Sequence, residues 1–204
     1  MFTKTQAEIM KVFASKITGR FSIKQVSEIL KKPYPLIHRS IKALIEQNFL
    51  VKDEKELISL NYKKNHSEIA YIESERAKEK IRNKSLLLFF NDLNEKIGED
   101  FFVLLIFGSF IEKDNPRDID ILIILDSNEN VNKTEKIANN IASNFSLKLD
   151  INIISKESAY EMLSKRDNKN VMNETLNKHL ILFGGENYYR ILKNARWKRD
   201  KTKV

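Results

Sequence analysis

The chain predicts a mixed α/β fold, of the α+β type, built from two units, and three observations carry that reading. Helical periodicity repeats three times in the first 47 residues and is followed by two short strand-like runs. The second half holds strand-length apolar runs, Phe101–Phe107 and Ile119–Leu125, with a third from Leu147 to Ile154. Charge divides along the same line: residues 1–65 hold 13 Lys/Arg against 6 Asp/Glu, whereas 85–189 hold 11 against 17. With 204 residues and 42% hydrophobic content there is material for real cores, which excludes a disordered chain. No apolar run approaches the roughly 18 residues of a membrane span, so no membrane partner is expected. The first residues, MFTKTQAEIMK, lack the features of a signal peptide, and there is no cysteine. These point to a cytoplasmic protein without thiol chemistry.

In the first unit, Ile9, Met10 and Phe13 mark a helix over about 5–15. Ser22 with Gln25 reads as a capping box opening a second helix, with Ile23, Val26, Ile29 and Leu30 on one face. Pro33 and Pro35 end it and start a third, in which Ile37, Ile41, Leu44 and Ile45 oppose His38, Arg39 and Lys42. FLVKDEKELISLNY then reads as two strands around a polar turn at Asp53–Glu56. Three helices and a hairpin in about 60 basic residues resemble the winged helix-turn-helix family over residues 3–63. The resemblance implies a DNA-binding domain at 1–65 whose third helix offers Tyr34, His38, Arg39 and Lys42 to the major groove. Winged helices frequently dimerise, so a homodimer is expected. The mostly acidic turn Asp53-Glu54-Lys55-Glu56 departs from a wing suited to a phosphate-lined groove.

Residues 66–84 read as a helical linker, after which Leu86–Phe90, Leu93 and Ile97 give a helix able to pack on the segment beyond Gly98. The informative stretch is FFVLLIFGSFIEKDNPRDIDILIIL. One buried strand ends in Gly108-Ser109; the next is entered through Asp118-Ile119-Asp120. Residues i and i+2 of a strand share a face, so the two carboxylates point to one side, about 6–7 Å apart. Like charges so placed call for a cation between them, and a divalent metal fits. Asp150 lies inside the third apolar run, where a buried carboxylate also needs a partner. Ile137, Ala138, Ile141, Ala142 and Phe145 mark a helix able to bring that strand beside the Asp118 strand. Beyond it, Tyr160–Leu163, Val171–Leu176 and Leu180–Phe183 read as closing helices, and Gly184-Gly185 as a helix cap.

Gly-Ser closing one strand, Asp-hydrophobic-Asp opening the next and a lone Asp in a later one resemble the minimal nucleotidyltransferases of the DNA polymerase β-like superfamily. The resemblance covers about 85–195 and implies a domain at 85–196 with a small mixed sheet, followed by a basic tail at 197–204. It implies that Gly108 and Ser109 meet the triphosphate; Arg117 departs from the family, which usually has Ser there, and is expected to pair with a phosphate or with an acid nearby. Asp118, Asp120 and Asp150 would be both the catalytic residues and the ligands of two Mg²⁺ or Mn²⁺ ions. The loop Phe110–Arg117 is shorter than the family's, lacks its second glycine and basic cluster, and carries Glu112 and Asp114 instead. The implied reaction moves a nucleoside monophosphate, AMP in the preferred reading, from a triphosphate to a hydroxyl. Two other readings stand beside it. One is a DNA-binding transcriptional regulator whose C-terminal domain binds nucleotide without turnover. The other is an antitoxin-type protein with a toxin partner or protein acceptor.

Overall fold

In the computed structural model, which describes residues 2–98, 100–113, 116–165 and 168–195, local capping chemistry sets the first elements. The basic tail and Asp114 lie outside the described residues. Helix α1 (Lys4–Ser15) opens with a Thr3/Gln6 capping box, and α2 (Ile23–Leu30) with the expected Ser22/Gln25 box. In the latter, Gln25 N–H donates to Ser22 Oγ at 3.2 Å and Ser22 N–H donates to Gln25 Oε1 at 2.7 Å. Pro35 starts α3 (Tyr34–Glu46), which buries Ile37, Ile41 and Leu44. The hairpin β1 (Leu50–Lys52) and β2 (Ile58–Leu60) comes next, and a bridge from Phe21 to Ile58 ties it to the α1–α2 connection.

The segment read as a linker forms α4 (His66–Lys80) and is buried, with Ile69, Ile72 and Glu73 fully covered. Its charged residues disguise a core helix because two of them neutralise each other. Glu73 Oε2 pairs with Arg76, while Glu73 Oε1 accepts from Tyr189 OH at 2.7 Å and lies 3.1 Å from His179 Nε2. Arg76 in turn donates to the His179 carbonyl at 3.0 Å. Burial alone would raise the Glu73 carboxyl; the Arg76 charge and the contacts of His179 and Tyr189 outweigh it and hold it below the ordinary value. A break at residues 81–83, with Asn83 capping, starts α5 (Lys84–Ile97).

The second half is a four-stranded mixed sheet, ordered β5-β4-β3-β6. Its strands are β3 (Phe102–Phe107), β4 (Ile119–Leu125), β5 (Leu149–Ser155) and β6 (His179–Phe183). Only β4 and β5 are parallel, joined across α7 (Val131–Ala142); α6 (Ser109–Glu112) comes directly after β3. Leu104, Ile106, Ile121 and Ile123 pack on the α5 and α7 side. Val103, Leu105, Leu122 and Ile124 pack on the side of α4, α8 (Lys156–Ser164) and α10 (Gly185–Asn194). Both faces are covered, which is why β3 and β4 are continuously apolar rather than alternating. The second of these cores runs without interruption into Ile9, Phe13, Ile37 and Leu44 of the first unit.

One element differs from expectation. Leu180–Phe183 is strand, not helix: Leu180 faces Ile106 and Ile181 faces Leu105. A four-residue apolar run carries no periodicity to distinguish the two, and here the open edge of β3 decides it. The short helix nearby is α9 (Val171–Thr175). Gly184, at φ 71°, begins α10 rather than ending a helix, and a Cβ there would stand 2.0 Å from the Phe102 carbonyl oxygen.

Two outcomes test this packing. Glu73→Gln leaves Arg76 buried without its counter-charge and should cost about 3–5 kcal/mol in urea unfolding. Because the folded Glu73 carboxyl lies below its ordinary 4.5, its contribution is present above that value. The contribution is lost as pH falls further, so the difference between wild type and variant should shrink in acid; a constant difference would contradict the assignment.

Candidate functional site

Strand β3 ends at Phe107, and the chain turns through Gly108 at φ 69°, ψ −138°, a conformation open to glycine. Its N–H donates to the Lys178 carbonyl at 3.3 Å, which fixes the turn against the start of β6. A Cβ on Gly108 would lie 2.5 Å from Asp120 Oδ2 and 3.5 Å from Glu174 Oε1, so the missing side chain makes room for these two carboxylates. The Ser109 backbone N–H donates to the Asp120 carboxylate.

Asp120 is the second residue of β4 and is flanked in register by Phe107 on β3 and Asp150 on β5. Adjacent strands lie about 4.8 Å apart, so two acidic side chains stand next to each other at one end of the sheet. Asp118 sits just before β4 and is exposed. Burial first, then the charges of Asp118, Asp150 and Glu174, push the Asp120 carboxyl above its ordinary value, with the Ser109 N–H opposing.

Asp150 corrects an expectation: it is exposed, not buried. β5 is an edge strand, and its Asp150 side faces an open cleft, so the residue needs no buried partner. That cleft, of about 950 Å³, is lined by Phe107, Asp120, Asp150, Asn152, Glu174 and Lys178, among others. Asp120 and Asp150 therefore share its wall, Gly108 and Ser109 touch Asp120 directly, and Asp118 acts on Asp120 through its charge. Arg117 is exposed and lies outside the cleft wall among the described residues.

Sequence reasoning missed Glu174 and Lys178. Nothing in NETLNKH marks them as site residues, since only the return of β6 to the edge of β3 brings them beside Gly108. Lys178 is held by Glu112 of α6 at 2.9 Å. Asn170 caps α9, and the Asn173 amide donates to the Lys165 and Asn168 carbonyls, so these residues shape the cleft wall.

Among the described residues no three His, Cys, Asp or Glu side chains are drawn together as a ready-made metal cage. The donor chemistry nevertheless suits a hard cation: the charged side chains that act on Asp120 are all carboxylates, and Gly108 places no side chain against it.

In the first unit, Tyr34, His38, Arg39 and Lys42 are all exposed on α3, opposite its buried face. The Tyr34 and His38 rings lie 6.0 Å apart. Among the described residues neither Arg39 nor Lys42 is engaged in an ion pair, so both charges face solvent. The acidity of the hairpin turn is partly spent within the protein. Asp53 Oδ1 accepts from the N–H groups of Lys55 and Leu57, its Oδ2 lies 3.6 Å from Arg20, and Glu56 pairs with Lys52.

Residues 93–174 match the family model described as Polymerase beta, Nucleotidyltransferase, a span from within α5 through most of α9. It contains Gly108, Ser109, the three aspartates and Glu174, and supports a nucleotidyltransferase domain over this segment. No curated protein matches the chain. A crystal structure of Pseudomonas aeruginosa HmgR is similar at 20% identity over 57% of this chain, with a TM-score of 0.29. The match spans 44% of that structure's chain, and a likeness this low carries no argument. Among the described residues no helix is long and apolar enough to cross a membrane.

The raised Asp120 carboxyl has a measurable consequence. A group whose folded value is raised favours folding when protonated and opposes it once ionised, so Asp120 destabilises the metal-free protein above its folded value. Asp120→Asn should therefore raise the unfolding midpoint in EDTA at pH 8, and the gain should vanish below about pH 4, where the unfolded carboxyl is also protonated. A midpoint lowered at pH 8 would contradict the crowding of carboxylates.

Proposed function

We propose that this chain is a metal-dependent nucleotidyltransferase that moves a nucleoside monophosphate, AMP in the preferred form, from a nucleoside triphosphate to a hydroxyl acceptor. One observation carries the reading: Asp120 and Asp150 stand in register on adjacent parallel strands at a cleft large enough for a nucleotide, with Gly108 against Asp120. The acceptor oxygen attacks the α-phosphorus, the bond to the bridging α–β oxygen breaks, pyrophosphate leaves, and the hydroxyl proton passes to solvent. Asp118, Asp120 and Asp150 would hold two Mg²⁺ or Mn²⁺ ions, which when bound supply positive charge for the attacking and leaving oxygens. Gly108 would let the backbone approach the triphosphate, Ser109 would offer its hydroxyl to a phosphate oxygen, and Arg117 would contribute a cation from outside the cleft wall.

Thermal unfolding with Mn²⁺ and a non-hydrolysable ATP analogue tests the reading without knowledge of the acceptor. At about a hundred times its dissociation constant the analogue should stabilise the wild type by roughly 2.7 kcal/mol. The shift should disappear in Asp118→Asn/Asp120→Asn. No shift with any nucleotide would overturn the proposal.

The first unit has the element order of a winged helix-turn-helix, and the uncompensated Arg39 and Lys42 on α3 favour a second reading, DNA binding by this unit. Together with a cleft that binds nucleotide without turnover, it would make the protein a regulator. DNA affinity should then fall steeply with salt, and Arg39→Ala/Lys42→Ala should both weaken binding and flatten the salt slope by about 2. Affinity independent of salt would exclude it.

A further inference from the structure

The connection between α1 and α2 belongs by sequence to the first unit, yet it lies against the cleft. Ile17 N–H donates to the Leu176 carbonyl at 2.9 Å, a backbone bond between segments 159 residues apart in sequence. Beside it, Thr18 and Asn177 clip together. Thr18 N–H and Oγ1 donate to Asn177 Oδ1 at 3.2 and 3.0 Å, and Asn177 Nδ2 donates back to Thr18 Oγ1 at 2.7 Å. Both ends of the Asn177 amide are thereby committed to one threonine, and Asn177 itself lines the cleft.

The segment being held is the one that brings the unforeseen residues into the site. Glu174 lies three positions before Asn177, and Lys178 comes immediately after it. Lys178 fixes Gly108 through its carbonyl and reaches Glu112 of α6 through its ammonium. Lys16, next to Ile17, acts on that same Glu112. Its carboxyl is held below the ordinary value first by the hydrogen bond from Lys178, against desolvation, and then by the charges of Lys178, Lys16 and Lys113. The α1–α2 connection thus reaches two segments that adjoin Gly108: α6, which follows it, through the charge of Lys16, and the α9–β6 turn, which lines the cleft, through Ile17 and Thr18.

We infer that the α1–α2 connection is a working part of the nucleotide cleft, and that Thr18 is a positioning residue which, through Asn177, sets where Glu174 and Lys178 stand relative to a bound triphosphate. The inference rests on the nucleotidyltransferase reading and extends it: the first unit determines the cleft's affinity for nucleotide, with Lys178 on the cleft wall adding a cation to a loop that lacks the family's basic cluster. Thr18 is exposed, so its hydrogen bonds compete with water and add little to global stability; their effect is local order.

The test is calorimetric titration of the full chain with a non-hydrolysable ATP analogue in Mn²⁺, beside nucleotide-free thermal unfolding, for wild type, Thr18→Val and Thr18→Ser. Valine keeps the shape and the backbone N–H but loses the hydroxyl that joins both ends of the Asn177 amide; serine retains it. Thr18→Val should weaken analogue binding on the order of threefold or more with little change in the nucleotide-free midpoint, and Thr18→Ser should restore wild-type affinity. Equal affinity for wild type and Thr18→Val overturns the inference and leaves the nucleotidyltransferase reading standing. A lowered midpoint with unchanged affinity also overturns it, by making the clip structural only. A wild type that binds no analogue overturns both.

Discussion

Everything near the cleft depends on the neutralisation of one buried carboxylate. Glu73 is completely removed from solvent, a state that would be prohibitive without partners, and its partners come from three separate elements: Arg76 on α4, His179 at the start of β6, and Tyr189 on α10. Satisfying them fixes where β6 begins, because His179 pairs with Phe107 of β3. Lys178 then falls beside Gly108, and α9 must close over the end of the sheet. Thr175 belongs to the same arrangement, accepting at its carbonyl the contact of His179 Nδ1 at 2.5 Å while its hydroxyl meets Tyr188 OH at 2.9 Å. Glu174, one residue earlier, faces the opposite way, towards Asp120. The back of the site is a paired network, and among the described residues none of the four carboxylates at the front is in a salt bridge.

That contrast separates stability from chemistry in physical terms. Behind the sheet each buried charge has its opposite within hydrogen-bond reach, and burial deepens the pairing. In front, Asp120 is pushed up first by its own burial and then by the like charges of Asp118, Asp150 and Glu174. Such an arrangement lowers the stability of the free protein, and strain of this kind is commonly retained at sites where a bound ligand relieves it.

The sequence made the main line of the fold legible wherever period and punctuation agreed. The Ser22/Gln25 box, the Pro35 start of α3, the two apolar strands and the Asp118-Ile119-Asp120 entry all stand where the pattern places them. Failures came where a residue's environment is made by distant chain. Leu180–Phe183 is too short to show a period, so the edge of β3 decided it. Asp150 reads as buried from its apolar neighbours, but alternation on an edge strand turns it to the cleft. Segment 66–84 reads as a helical linker and its helix is there as α4; the burial of that helix is not legible because Glu73 and Arg76 count as polar until they pair with each other and with His179 and Tyr189. Glu174 and Lys178 had no local signature because their role depends on a strand pairing some 70 residues away in sequence.

The continuity of the core across the two units has a consequence for how such a chain changes over time. Ile69 and Ile72 of α4 share one buried cluster with Phe13 of α1 and Tyr188 of α10. Recombination near residue 65 would therefore bare apolar surface on both products at once, and a first unit borrowed from elsewhere would have to match this particular seam. Exchange of either part for a homologous module would be penalised by packing before function is ever tested, and adaptation at either would proceed by small steps that the other can absorb.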